Sequence, residues 1–290
     1  MAHQPNPYPT ALRRELSARS VIYAALGKLP HALTNGEPPV VMYEPFSGGR
    51  RHGNFLDASY QALIDRPEWK RRLEKVHTHA VRSLPGRERV WRELDSCMSS
   101  DALLMNVFCH PQTLASRSVR SLLGVEESSA PDFGFKARVP LLTGRTDRTE
   151  VDMRLGTLLV EAKLTETDFQ VATAVIVECY RDLDCIFAGK ALPTVSSCYA
   201  SYQLIRNVLA AHTLEVDFCV LLDARRPDLR EAWYTNMSCV RNSTLKTRCK
   251  VLTWQELAEV LPASLRYFLD IKYGIVPPGQ TPSEFGERDY

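Results

Sequence analysis

One stretch, residues 149–164, carries the residue types and spacing best suited to chemistry. Its second half is apolar except for Glu161 and Lys163, which stand two positions apart. Side chains two apart on a β-strand point to the same face, so a carboxylate and an ammonium project together. Burying such a face is costly unless the charges are paired with each other or bind an ion.

A second carboxylate, Asp152, lies upstream and is separated from Glu161 by a turn signal at Gly156-Thr157. A hairpin that turns at this pair brings Asp152 beside Glu161. Two carboxylates in a small volume favour a cation, and oxygen ligands select Mg²⁺ or Mn²⁺. We therefore expect a metal site with positions left open for water and phosphate oxygen. The alternative is a solvated salt bridge on an edge strand.

At these residues the sequence resembles the PD-(D/E)XK nuclease superfamily, whose members share the restriction-endonuclease-like fold. Asp152 matches the aspartate of the motif, and Glu161-Ala162-Lys163 matches its (D/E)-x-K. Val151 stands where the motif has its proline. Two other segments, Glu68-Trp69-Lys70 and Asp270-Ile271-Lys272, match the same (D/E)-x-K pattern. We interpret both as helical and structurally ordinary.

The resemblance spans about residues 93–261 and implies a metal-dependent phosphodiester hydrolase, a nuclease that acts on DNA. Asp152, Glu161 and the carbonyl of Ala162 would hold one or two Mg²⁺ or Mn²⁺ ions. Lys163 would orient the attacking water or assist its deprotonation, with a pKa lowered by partial burial beside the metal. Gln203 would complete the catalytic set. The alternative is a catalytically silent module that binds nucleic acid or protein and has kept the fold.

Further polar residues lie downstream and upstream of this motif. Gln203, Arg206 and Asn207 share one face of a predicted helix and are suited to phosphate or to ordering water. Arg206 and Asn207, with Arg145 and Arg148 from a turn before the motif, are the predicted nucleic-acid contacts. The alternative is an ordinary exposed helix face. These residues do not tell whether the nucleic acid is DNA or RNA. They also do not tell whether the protein would cut as an endonuclease or as an exonuclease.

The order of elements predicts an α/β protein, a restriction-endonuclease-like sandwich with a mixed central β-sheet flanked by helices, plus an N-terminal helical extension. Apolar runs indicate strands at 135–142, on either side of Gly156, at 216–222 and at 249–252. Helical patterns are predicted at 11–29, in two short pieces broken at Pro67, after Ser99, from Val171 to before Gly189, at 199–209, and at 254–261 and 265–273.

We divide the chain into an N-terminal extension (1–92), a nuclease-like domain (93–276) and a loose tail (277–290). Prolines and glycines mark the extension and the tail, and the resemblance marks the domain between them. The resemblance leaves room for an additional acid upstream of the motif, which Glu93 or Asp101 could supply. Asp101 in a first helical turn is equally explained by the helix dipole.

Composition sets the compartment and the partners that we expect. Of the 290 residues, 44% are hydrophobic, which is enough for a large core. Because the net charge is only +2, any phosphate-binding surface must come from a local cluster of basic side chains. The eight cysteines form no C-x-x-C pair and are interpreted as reduced, in a cytoplasmic protein. No apolar run is long enough for a signal peptide or a membrane span, so neither export nor a membrane is expected. The resemblance implies nucleic acid, DNA above all, as the partner. The oligomeric state does not follow from the sequence.

Overall fold

The computed structural model describes residues 6–76, 90–126 and 129–283, which belong to two compact units. One unit combines residues 1–128 with residues 254–290, and the other holds residues 129–253. The predicted domain boundaries at residues 92 and 276 stay predictions.

Helices and strands are numbered along the described chain. The helices are α1 (Pro7–Leu26), α2 (Asp57–Ile64), α3 (Pro67–Lys70), α4 (Ser100–Cys109), α5 (Arg117–Leu123), α6 (Ala174–Val177), α7 (Leu183–Ile186), α8 (Tyr202–Leu214), α9 (Pro227–Ser238), α10 (Ser243–Thr247), α11 (Trp254–Val260) and α12 (Ala263–Tyr273). The strands are β1 (His31–Leu33), β2 (Val41–Tyr43), β3 (Asp132–Lys136), β4 (Val139–Pro140), β5 (Thr146–Asp147), β6 (Glu150–Leu155), β7 (Leu158–Ala162), β8 (Ala172–Thr173), β9 (Thr194–Val195), β10 (Cys198–Tyr199), β11 (Asp217–Leu222) and β12 (Cys249–Thr253).

A five-stranded sheet in the order β12-β11-β7-β6-β3 forms the centre of the 129–253 unit. β11 runs parallel to both β7 and β12, whereas β6 is antiparallel to both β7 and β3, so the sheet is mixed. From Phe218 to Leu222, β11 is fully buried, as expected for a continuous apolar run at the centre of a parallel arrangement. The predicted α/β fold with a mixed central sheet is confirmed.

Helices α8 and α9 cover one face of this sheet. Leu159 of β7 and Phe218 of β11 lie in the same buried cluster as Ile205 of α8 and Trp233 of α9. The rings of Phe218 and Trp233 are 5.8 Å apart between centroids. Because alternate residues of a strand point to one face, Glu161 follows Leu159 onto the face that α8 covers.

The single helix predicted from Val171 to before Gly189 does not form. Ala172 and Thr173 instead pair as β8 with β10, and only the one-turn helices α6 and α7 follow. The run Val175-Ile176-Val177 is β-branched, and such residues lose side-chain freedom in a helix. The β-branched run therefore forms only the single turn of α6, and the apolar spacing does not extend it into one long helix.

In the other unit, α1 packs against α12, and Lys272 of α12 is fully buried. Its Nζ donates to the main-chain oxygen of Asn54 at 2.6 Å and also to Asn54 Oδ1. Four aromatic rings surround the ammonium at 4.8–5.9 Å from their centroids: Tyr23, Tyr43, Phe268 and Tyr273. Asp270-Ile271-Lys272 is helical as predicted, but its lysine is fully buried and so is not structurally ordinary.

Candidate active site

The hairpin of β6 and β7 brings the two predicted carboxylates together. Gly156 occupies the turn with φ of +57°, a left-handed conformation that glycine adopts without steric cost. Met153 pairs with Val160, so Asp152 and Glu161 stand at the next opposed positions of the two strands. The carboxylate of Asp152 accepts a hydrogen bond from the backbone N–H of Ala162, with Oδ2 and N 2.8 Å apart.

Glu161 and Lys163 form a buried ion pair. Lys163 Nζ lies 2.6 Å from Glu161 Oε1, and the side chains are 5% and 1% exposed. Two charges this deep lose their hydration, and removing either partner leaves the other uncompensated. The sequence alternative, a solvated salt bridge on an edge strand, does not fit, because the pair is buried and β7 lies inside the sheet.

Helix α8 supplies the second partner of Glu161. Asn207 is fully buried, and its Nδ2 donates to Glu161 Oε2 at 2.7 Å. Its Oδ1 accepts from Nε and Nη2 of Arg206 at 3.2 and 3.0 Å, which fixes the orientation of the amide. Arg206 also donates to the main-chain oxygen of Glu150 at 2.9 Å. Both oxygens of Glu161 are thus held by groups from different elements.

This placement changes the role expected for two residues. Arg206 and Asn207 were predicted to contact nucleic acid, yet Arg206 is only 4% exposed, and both side chains bond to protein groups. The helical spacing correctly puts them beside each other and beside the motif. It cannot tell whether that helix face meets solvent or the sheet, so we revise their expected role to positioning Glu161.

The charge state of Lys163 also differs from the expectation. Burial alone lowers the pKa of this ammonium, but the nearby carboxylates of Glu161, Asp152 and Glu166 outweigh it and raise the pKa above its ordinary value. The predicted lowering of the Lys163 pKa is therefore wrong for the arrangement seen here. Lys163 is a firmly protonated hydrogen-bond donor.

Gln203 lies one helical turn before Asn207 on α8, on the same face. Its Oε1 is buried and has no hydrogen-bond partner within the described part of the chain. A buried amide oxygen without a partner is costly, and water is the common way to satisfy one.

Arg145 and Arg148 are exposed, as a phosphate-binding role requires. Arg145 lies between β4 and β5, and Arg148 follows β5. Between them, Asp147 accepts hydrogen bonds from Thr149 and from the Tyr180 hydroxyl, and these outweigh burial to lower its pKa. The loop that presents the two arginines is thereby fixed.

Glu93 and Asp101 belong to the other unit. Lys75 lies 2.8 Å from Glu93 and 3.4 Å from Asp101, while Arg72 lies 2.8 Å from Asp101. Both acids are thus engaged in a local ion-pair network, and their role as additional ligands stays a prediction.

Two residues near the site were not singled out in the sequence. Glu166 stands three positions after Lys163 and contributes to the field at its ammonium. Arg226 is fully buried and donates to the loop that contains Glu166. The signal that could have indicated Arg226 is its place in the charged segment directly after β11, because the ends of the adjacent parallel strands β7 and β11 meet at one edge of the sheet.

The donors near Glu161 fit a hard cation in their chemistry. Asp152 and Glu161 offer carboxylate oxygens, which Mg²⁺ and Mn²⁺ prefer. Lys163 donates to one oxygen of Glu161 and Asn207 to the other, and a carboxylate oxygen can accept two hydrogen bonds. Gln203 Oε1 adds an acceptor for water. Within the described residues no group of three or more His, Cys, Asp or Glu side chains is arranged to hold a metal, so a cation here depends on few protein ligands.

Comparison with known proteins gives one family. The family model described as "Restriction Endonuclease associating with ARP" matches residues 31–274. No curated protein and no solved structure matches the chain. Across the residues for which coordinates are described, no helix has both the length and the apolar character needed to cross a membrane.

Proposed function

Because the chain belongs to the family of restriction endonucleases associating with ARP, we propose that it is a metal-dependent nuclease of the PD-(D/E)XK type that acts on DNA. The observation that carries this proposal is the buried pair of Glu161 and Lys163 beside Asp152. A buried ion pair contributes little to stability compared with apolar residues of similar size. Its presence in an otherwise apolar strand is therefore explained better by chemistry than by folding.

In the proposed reaction, Asp152, Glu161 and the carbonyl of Ala162 would hold Mg²⁺. The ion, when bound, lowers the pKa of a water and stabilises negative charge on the phosphate. Asn207 and Arg206 hold the Glu161 carboxylate in one orientation, so little reorganisation is needed when a phosphodiester arrives.

Lys163 and Gln203 act on water and phosphate. Lys163 donates hydrogen bonds, orienting the attacking water or stabilising a phosphate oxygen. Gln203 Oε1 accepts a hydrogen bond from the water, which satisfies an oxygen otherwise buried without a partner.

We assign the contact with the substrate backbone to Arg145 and Arg148. Both are exposed, and their loop leads directly into β6, which carries Asp152. Arginine suits phosphate because its planar donors match two oxygens at once. Contacts of this kind position a nucleic acid without reading its sequence.

A cleavage assay tests the function. Wild type is incubated with Mg²⁺ or Mn²⁺ and with single-stranded and duplex DNA and RNA, and duplex DNA is expected to be cut. Asp152→Asn, Glu161→Gln and Lys163→Ala should each reduce the rate by about 100-fold or more. The matched control is Asp168→Asn, an exposed acid five positions after Lys163, which should cleave like wild type.

Two results would overturn the proposal. Cleavage that persists in both Asp152→Asn and Glu161→Gln would place the reaction elsewhere. Binding of nucleic acid without cleavage under every metal condition would instead identify the catalytically silent module.

A further inference from the structure

The hairpin of β4 and β5 presents the two exposed arginines of the 129–253 unit that we assign to the substrate backbone. We call this segment, residues 139–148, the arginine hairpin. Its β4 side is fixed by main-chain hydrogen bonds to the segment around Tyr180. The backbone N–H of Leu142 donates to the Cys179 carbonyl at 2.8 Å, and Leu141 forms an isolated β-bridge with Tyr180.

The side chain of Tyr180 fixes the β5 side of the same hairpin. Its ring is only 3% exposed, and its hydroxyl donates to Asp147 Oδ2 at 2.6 Å. The other oxygen of Asp147 accepts from the backbone N–H and the hydroxyl of Thr149 at 2.8 and 2.5 Å. Asp147 stands between Arg145 and Arg148 in the sequence, so its carboxylate fixes the main chain that carries both arginines.

A second tyrosine connects Tyr180 to helix α8. The hydroxyls of Tyr180 and Tyr202 are 2.9 Å apart. An ionised carboxylate can only accept a hydrogen bond, so the Tyr180 proton is directed to Asp147 and the Tyr180 oxygen accepts from Tyr202. Tyr202 is the first residue of α8, and the guanidinium carbon of Arg206 lies 5.9 Å from the centre of its ring.

Helix α8 also holds the catalytic carboxylate of the proposed reaction. Asn207 lies five residues after Tyr202 and donates to Glu161 Oε2 at 2.7 Å. The arginine hairpin and Glu161 are therefore attached by hydrogen bonds to the same helix. A phosphodiester must meet the arginines and the cation together, and a misplacement of about 1 Å can lower a rate by about 100-fold.

We propose that Tyr180 and Tyr202 are positioning residues that align the arginine hairpin with the carboxylates of Asp152 and Glu161. They keep a fixed separation between the phosphate that the arginines contact and the phosphate that is cut. This inference rests on the proposed function. Tyr180 acts through Asp147, and Tyr202 acts through Tyr180.

Single-turnover cleavage of duplex DNA, with Mg²⁺ and the full chain in saturating excess, tests the inference. Tyr180→Phe removes one hydroxyl and keeps the buried ring. The exposed arginines can still contact phosphate, so the DNA Kd should stay close to that of wild type. The rate constant should fall about tenfold or more, because the cut phosphate is no longer aligned. A variant that is merely less stable keeps the wild-type rate constant, since the folded enzyme remains in excess.

The matched control is Tyr199→Phe. The Tyr199 hydroxyl also donates to a carboxylate of the same unit, Glu178 Oε1 at 3.0 Å, but Glu178 lies outside the arginine hairpin. Its rate constant should match that of wild type. Tyr202→Phe should lower the rate constant in the same direction as Tyr180→Phe. A wild-type rate constant in Tyr202→Phe would remove the connection to α8 and overturn the inference.

A double variant asks whether Tyr180 acts through Asp147. Asp147→Ala removes the acceptor, so Tyr180→Phe should lower the rate constant no further in that background. A fall as large as in the wild-type background would mean that Tyr180 acts by another route, which overturns the inference.

Amide hydrogen exchange supplies a measurement that does not depend on cleavage. Tyr180→Phe should speed exchange in residues 141–149, and Tyr199→Phe should not. Unchanged exchange in Tyr180→Phe would show that the hydroxyl does not fix the arginine hairpin, and it overturns the inference.

The remaining outcomes separate the inference from the function. Wild type that cuts DNA, with Asp152→Asn abolishing cleavage and Tyr180→Phe behaving like Tyr199→Phe, overturns the inference alone. Wild type that does not cut DNA under any metal condition overturns the proposed function, and the inference with it.

Discussion

Replacing Asn207 by leucine tests whether this buried amide holds the candidate site together. Asn207 is fully buried and connects two opposite charges, donating to Glu161 and accepting from Arg206 twice. Leucine has a similar volume and none of these hydrogen bonds. After the change Glu161 keeps Lys163, and Arg206 keeps the main-chain oxygen of Glu150.

The expected cost follows from the charges involved. A hydrogen bond to a charged group contributes about 1.5–3 kcal/mol, and losing one partner of a buried charge network costs about 3–5 kcal/mol. The three bonds share partners and are not additive. Because each charge retains another partner, neither is left uncompensated, and Asn207→Leu should lower the free energy of unfolding by about 1.5–3 kcal/mol, the range for a hydrogen bond to a charged group.

Urea unfolding followed by tryptophan fluorescence measures this cost. The matched control is Asn236→Leu, a fully buried asparagine in the same unit. Among the described residues, its Nδ2 bonds only to the Ala232 carbonyl within its own helix. That neutral bond predicts a loss of about 1 kcal/mol. If Asn207→Leu costs no more than Asn236→Leu, the argument that Asn207 stabilises the charges of the site is refuted. Cleavage by the folded Asn207→Leu protein should also fall, because Glu161 loses one of its two anchors.

Three further results are expected. Burial lowers the pKa of Lys272, so between that value and about 10.4 the unfolded chain binds a proton that the folded chain lacks. Wild-type stability should therefore rise with pH up to about 10.4 relative to Lys272→Met, and a stability difference that does not change with pH would contradict this. Gly156→Ala should cost about 1–2 kcal/mol, because φ is +57° and a Cβ would lie 3.1 Å from Ser129 Oγ; an unchanged melting temperature would disprove it. Arg145→Ala and Arg148→Ala should each flatten the slope of log K against log salt for duplex DNA by about 0.9, measured by anisotropy, and unaltered slopes would exclude both as phosphate contacts.

The sequence predicted the hairpin that forms the site because local rules decide it. The glycine turn joins two strands whose side chains alternate between faces, and this turn fixes the register in which β6 pairs with β7. That register places Asp152 beside Glu161. The same holds for β11, whose uninterrupted apolar run marks a central strand, and for α4, where Ser99 accepts from Ala102 N as its N-cap.

What the sequence did not predict depends on contacts between distant segments. The pKa direction of Lys163 follows from three carboxylates converging in space, one of them on a loop held by Arg226. The burial of Arg206 depends on which face of α8 meets the sheet, since both faces carry polar residues. Lys272 belongs to a triplet with an ordinary helical pattern, and only the packing of rings from α1, β2 and α12 itself shows that it is enclosed.

The hydrogen bond from Lys272 to Asn54 joins positions 218 residues apart, and this has a consequence for synthesis on the ribosome. The 129–253 unit is continuous in sequence and is complete in the nascent chain before α11 and α12 are translated. The other unit cannot close until its last helix has emerged, so the surface of α1 that packs against α12 stays without its final partner through most of translation. Folding in the order of synthesis therefore completes the nuclease-like sheet first, and the N-terminal segment is the part of the nascent chain that needs protection from aggregation.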